Sequence, residues 1–142
     1  MIALPQTAEY ALRAVSYIAE HEYAGPVPVS AIAAALDAPQ NYLSKTLHQL
    51  GAQGVLQSTR GAQGGYRLAA RPGKLRLEEI VGPFLAPTER RCIMGRTHCR
   101  DDVPCGAHLR WKEVNDTARA FFAELTLADL LSGAAPPRAT TR

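Results

Sequence analysis

The sequence predicts a mostly α-helical chain that carries one small β-hairpin and ends in a long helix. Three observations lead to that fold class. Apolar side chains recur at three- and four-residue spacing through several stretches, the signature of helices with one buried face. Two short β-type runs, Val55–Thr59 and Gly65–Leu68, flank a glycine-rich turn. A last periodic stretch, from about Ala107 to Leu125, is longer than any before it.

Each element follows in order. Residues 6–22 place Ala8, Ala11, Leu12, Val15, Ile18 and Ala19 on one helical face, with Pro5 and Thr7 marking the approach. Tyr23 to Pro28, with Gly25, Pro26 and Pro28, reads as a turn. A second helix opens at Val29–Ser30, with Ser30 as its expected N-cap, and runs to Leu36. After Asp37–Pro39 a third helix carries Tyr42, Leu43, Thr46, Leu47 and Leu50 and ends near Gly51 or Gly54. Two helices joined by a tight turn, the second bearing small polar and basic side chains, form a helix-turn-helix pattern. The hairpin that follows, turning through Arg60-Gly61-Ala62-Gln63-Gly64, is then a wing, whose glycines let the backbone approach phosphates or a groove floor. A phosphate-cradling nucleotide loop is excluded, because no Lys-Ser/Thr ending and no helix follow the glycines. Leu75, Leu77, Ile80 and Val81 support a short helix with Glu78 and Glu79 in its first turn, stopped by Gly82-Pro83. The long helix, with Leu109, Val114, Ala118, Phe121, Phe122 and Leu125, has more apolar surface than a small winged domain covers, so a second copy is the expected partner. Thr126 caps a last short helix to Leu131, and a disordered tail is expected beyond it. The fold class is therefore a winged helix-turn-helix domain plus a long C-terminal dimerisation helix. Its expected divisions are a DNA-binding domain over 1–82, a cysteine-containing sensor loop over 83–106, the dimerisation and terminal helices over 107–132, and the tail over 133–142.

A chain of 142 residues, 46% hydrophobic, has the size of one domain with a real core. No apolar run approaches a bilayer span, so no membrane partner is expected. MIALPQTAEY shows no signal-peptide pattern, which predicts a cytoplasmic protein with reduced thiols. The net charge of +3 is mild, so nucleic-acid binding has to be argued from where charges sit.

All three cysteines, Cys92, Cys99 and Cys105, fall in one short run with His98 and His108. Close thiols in a reducing compartment point to metal, cluster or redox chemistry. Buried inert cysteines are the plain alternative, but the run is crowded with Arg and Asp, which suits a packing segment poorly.

The order of helix-turn-helix, the wing STRGAQGGYRL, a short helix, a three-cysteine loop and a long terminal helix resembles the IscR/NsrR family of bacterial winged-helix transcription regulators. The resemblance covers roughly Ala3 to Ser132, and the wing ending in GGY is its most specific motif. It implies a homodimer on palindromic double-stranded DNA, with RNA polymerase as a further partner, and an iron–sulfur cluster on Cys92, Cys99 and Cys105. The first gap holds six residues, one more than in the best-known members, and cluster-free members also exist. His108, in the run from Cys105 to Trp111, matches the fourth ligand of the cluster-assembly regulator. Glu9 matches the carboxylate that nitric-oxide-sensing members supply to the partner subunit's cluster.

Three thiolates and one nitrogen or oxygen donor complete a [2Fe–2S] cluster, favoured here, or a [4Fe–4S] cluster; a non-thiolate position is the more easily displaced. His108 is the favoured fourth donor, three residues beyond Cys105 and one turn along the same helix; Glu9 is second, and His98 reads as solvated. The expected signals are redox state, nitric oxide, or iron and cluster supply. Zinc in a Cys3His site and a bare-thiol redox switch remain alternatives. On the third helix Gln40, Asn41, Ser44, Lys45 and His48 are the expected groove-facing residues, Asn and Gln suiting adenine edges and Lys45 a phosphate or guanine. Arg60 is placed for the minor groove or flanking phosphates, Gly61 and Gly64 for close backbone approach, and Arg67 for a phosphate. Tyr42 and Tyr66 are expected to pack against the domain. No catalytic residue is expected: Glu78–Glu79 and Asp101–Asp102 read as solvated surface, and no nucleophile–base set stands out. A small iron–sulfur electron carrier would not need the helix-turn-helix, and a pure protein-interaction module would lack specific DNA binding.

Overall fold

The computed structural model describes residues 4–85, 92–96 and 100–133. The expectations for Cys99, His98 and the tail beyond Gly133 lie outside those residues.

Helix α1 (Gln6–His21) buries Ala8, Ala11, Ala14, Val15 and Ile18. Helix α2 (Val29–Leu36) and helix α3 (Gln40–Ala52) pack against it through Ile32, Ala33, Leu36 and Leu43, Leu47, Leu50. Between α2 and α3 the chain turns on Asp37, at φ 51° the only left-handed non-glycine among the described residues. Ser30 is not the N-cap of α2. Pro28 takes that place, its carbonyl accepting from Ala31 at 3.1 Å and Ile32 at 3.2 Å, and Ser30 stands inside the helix. The same device opens α1 at Pro5 and α3 at Pro39. In each case the proline is extended and outside the helix, no side chain caps the end, and the proline carbonyl accepts the first helical bond, from Glu9 at 3.0 Å in α1 and from Leu43 at 3.1 Å in α3.

The wing is the antiparallel pair β1 (Leu56–Thr59) and β2 (Gly65–Leu68), in register Leu56 with Leu68 and Thr59 with Gly65. β1 begins at Leu56, because the Val55 N–H still donates to Leu50 at the end of α3. The segment before α2 is more than a turn. Glu22–Ala24 is a 3-10 turn, and Val27 bridges Tyr66 through two backbone bonds of 2.9 Å. Glu22 also accepts from the Leu68 N–H at 2.8 Å, so the return strand is tied to the end of α1.

Helix α4 (Leu77–Val81) buries Leu77, Ile80 and Val81. Gly82-Pro83 ends it as an α-helix, but the chain winds on as a 3-10 turn over Gly82–Phe84. Helix α5 (His108–Glu124) and helix α6 (Leu127–Ser132) complete the chain. Between them the chain pairs with the approach to α4: the Leu77 N–H donates to Leu125 at 2.9 Å and the Leu127 N–H to Leu75 at 2.8 Å. Leu127 is wholly buried in the same core as Ile18 and Leu43. Of the 17 residues of α5, by contrast, His108 alone is buried, while Leu109, Val114 and Phe121 are exposed.

Candidate nucleic-acid interface and sensor loop

The core positions of α3 leave the opposite face outward. Gln40, Asn41, Lys45 and His48 are exposed and Ser44 is half-buried. At about 100° per residue these five residues span an arc of about 140°, with Leu43, Thr46, Leu47 and Leu50 on the other side. The structure thus brings the five expected side chains onto one surface. Tyr42 packs inward as expected, its ring edge-on to Tyr10 with centroids 5.5 Å apart and its hydroxyl 2.5 Å from that of Thr7. Tyr66 is half-buried against the core.

The wing adds Arg60 and Arg67, both exposed. Gly61 has φ 107° and open space around it. Gly64 is also required by the turn itself. A Cβ there would collide with the Thr59 carbonyl oxygen and lie 2.8 Å from that of Gly61, to which Gly64 already donates its N–H at 2.9 Å.

A further signal lies in the placement of charge. Between Asp37 and Glu78 the chain has no carboxylate but six cationic side chains: Lys45, Arg60, Arg67, Arg71, Lys74 and Arg76. The rest of the chain carries ten Lys and Arg against thirteen Asp and Glu, so the small net charge hides a segregated cationic stretch covering α3 and the wing. Such a surface attracts a polyphosphate backbone by releasing its counterions. Arg71 and Lys74, exposed beside the wing, join the candidate contacts on this ground.

In the cysteine-containing loop, Cys92 is buried and Cys105 half-buried. His108 is 4% exposed, and its Nε2 lies 2.7 Å from Asp101 Oδ1. Cys105 does not share the helix of His108. It precedes α5, and its carbonyl accepts the His108 N–H at 3.0 Å in the turn that starts the helix. Asp101, its side chain still largely exposed, thus also partners the buried His108. Asp102 binds the Arg100 guanidinium, which holds its carboxyl below the usual aspartate range. Glu9 stands exposed on α1, with Arg13 at 3.8 Å one turn on. Among the described residues no group of three or more His, Cys, Asp or Glu is placed to hold a metal ion. Among them, too, no helix is long and apolar enough to cross a membrane.

A helix-turn-helix with a two-stranded wing and a cationic outer surface is the architecture of winged-helix DNA-binding proteins. A family model described as "Rrf2: Iron-dependent Transcriptional regulator" matches residues 4–133. The chain belongs to the Rrf2 family, and is a DNA-binding transcriptional regulator and not an enzyme. It is 33% identical over 129 residues to a protein of Aquifex aeolicus named "Putative HTH-type transcriptional regulator", covering 89% of each chain. It is 26% identical to the HTH-type transcriptional regulator IscR of Citrobacter koseri, over 91% of this chain and 79% of the relative. Several solved structures share the fold, among them two regulators. CymR (YrzC), the global cysteine regulator of B. subtilis, superposes with a TM-score of 0.79 at 23% identity, covering 94% of this chain and 99% of that one. The T. potens IscR superposes with a TM-score of 0.75 at 24% identity, covering 99% and 94%.

Proposed function

We propose that the chain acts as a homodimer on palindromic DNA and that its cysteine loop makes binding responsive to redox state, nitric oxide or cluster supply. The observation that carries the DNA half is the carboxylate-free stretch that supplies both the outward face of α3 and the wing. Gln40, Asn41, Ser44, Lys45 and His48 would read the major groove, while Arg60, with Gly61 and Gly64 shaping the turn, and Arg67 would hold the minor groove and its flanking phosphates. The exposed apolar side chains of α5 support dimerisation: a helix that buries one residue in its own domain has a face left for a second copy.

The sensor half rests on donor chemistry. Cys92, Cys99 and Cys105 would hold an iron–sulfur cluster, [2Fe–2S] before [4Fe–4S], with His108 as fourth donor. His108 fits that role in one respect the sequence does not reveal. A ligating imidazole commonly gives its second ring nitrogen to a carboxylate, which fixes its tautomer and orientation, and Asp101 stands at that distance. The cluster, when bound, would supply a centre that oxidation or nitric oxide alters. The protein's own part is to shelter Cys92 and His108 from water and to join the loop to α5 through the Cys105–His108 turn. Glu9 is the second candidate for the fourth donor; being exposed on α1, it is open to a partner subunit. A zinc site or a bare-thiol switch would use the same three cysteines.

The visible spectrum of protein purified without oxygen, with its iron and sulfide content, tests the sensor. A coloured protein with matching iron and sulfide is expected. Colourless protein after iron–sulfide reconstitution would discard the cluster, and bound zinc would replace it.

A further inference from the structure

Helix α1 does more than supply core alanines. Thr7, Tyr10 and Arg13 recur at three-residue spacing and so lie in one stripe along α1. This stripe grips both sides of the turn between α2 and α3. On the α2 side, Arg13 donates to the carbonyl of Leu36, the last residue of the helix, at 3.4 Å, with its guanidinium 5.8 Å from the Tyr10 ring. On the α3 side, the Tyr10 ring meets Tyr42 edge-on and the Thr7 and Tyr42 hydroxyls are 2.5 Å apart.

Apart from a 3.4 Å bond from Gln49 Nε2 to the Pro83 carbonyl near the far end of the helix, the other side-chain contacts under α3 are of a different kind. Leu43, Leu47 and Leu50 hold it by apolar burial, which is non-directional and tolerates a small rotation or slide of the helix about its axis. A hydrogen bond weakens steeply with angle and distance, so it fixes what the leucines leave loose. Tyr42 is also where this matters, since it stands in the first turn of α3, next in sequence to Asn41 and two residues before Ser44, whose side chains lie on the outward face. Hydrogen bonds from Asn or Gln to a base edge need their donors held to within about 0.5 Å.

We propose that Thr7 is a positioning residue for DNA readout, acting through the Tyr42 hydroxyl to fix the rotation of α3 and touching no DNA itself. The inference rests on α3 being the reading helix, so its test has to separate the two. The probe is a duplex that the wild-type protein has selected from a random-sequence pool, with a scrambled duplex of the same length beside it; binding is read by fluorescence anisotropy and folding by thermal melting. Thr7→Val keeps the side-chain shape and removes the hydroxyl. It is expected to weaken binding to the selected duplex roughly three- to tenfold, the scale of one hydrogen bond, and to leave the scrambled duplex unaffected. Tyr42→Phe should do the same, the double variant should be no worse than either single one, and Thr7→Ser should restore wild-type affinity. Asn41→Ala serves as the control for the reading helix.

If Asn41→Ala weakens selected binding and Thr7→Val does not, the inference is overturned, and loss with Tyr42→Phe alone would then mean that Tyr42 meets DNA directly. Equal losses on both duplexes with a lowered melting temperature would overturn it too, leaving Thr7 a merely stabilising residue. If Asn41→Ala has no effect either, α3 is not the reader and the underlying assignment falls with it.

Discussion

Arg60 is the residue on which the wing's part in DNA binding turns. It leaves β1 exposed, beside a glycine with φ 107°, and the carboxylate-free stretch gives it no acidic neighbour in sequence. Replacing it with Ala should weaken binding and make the dependence of affinity on salt shallower by about one unit of slope, measured by anisotropy across a salt series. An unchanged slope would take the wing off the phosphates. Gly64 fails by another route. Ala there must push against the Thr59 and Gly61 carbonyls, an overpacking that costs about 1–3 kcal/mol. Gly64→Ala should therefore lose DNA affinity through a distorted wing while α-helical circular dichroism is unchanged. In the loop, His108→Ala should leave the fold intact and shorten the lifetime of the cluster's visible absorption, with Asp101→Asn giving a smaller effect in the same direction. A lifetime unmoved by His108→Ala would pass the fourth position to another donor, which Glu9→Gln then tests.

At the scale of elements, α6 is the unexpected one. The sequence shows a capped short helix, and the cap is there: Thr126 Oγ1 accepts from the Asp129 N–H at 3.2 Å, and Asp129 accepts from the Thr126 N–H at 2.9 Å. What spacing does not show is that this helix carries Leu127 into the core of the winged domain. Leu127→Ala should cost about 2–5 kcal/mol of stability, a loss seen in denaturant melts of the whole domain and not of a separate tail. Thr126→Ala should cost about 1 kcal/mol. The backbone and hydroxyl of Thr126 hold the Asp129 carboxyl below its ordinary value. A depressed acid adds stability above its unfolded pKa, and that share is lost as pH falls through the lower folded value. Asp129→Asn should remove this part of the acid-side slope.

For the whole molecule, charge and apolar surface divide the work. The cationic stretch faces outward on α3 and the wing, while α5 leaves Leu109, Val114 and Phe121 exposed. Phe121→Asp, at a side chain that is half exposed and touches its own chain through the Phe122 ring, should shift sedimentation from dimer towards monomer without lowering the helix content. A wild-type chain that sediments as a monomer at micromolar concentration would end the homodimer proposal.

The local elements were legible because they are set by local chemistry. Apolar spacing located α1, α3 and α5, paired β-type runs gave the wing, and Thr126 marked the start of α6. Ser30 misled because the helix already begins at Val29, which puts Ser30 past the cap position, and the charge pattern was missed because a net sum averages over segments. Only the folded chain decided the rest: Val27 pairing with Tyr66, Leu127 entering the core, Asp101 meeting His108 and Thr7 meeting Tyr42. Each of these joins residues whose partner depends on how separate segments pack or turn, and no periodicity along the chain records that.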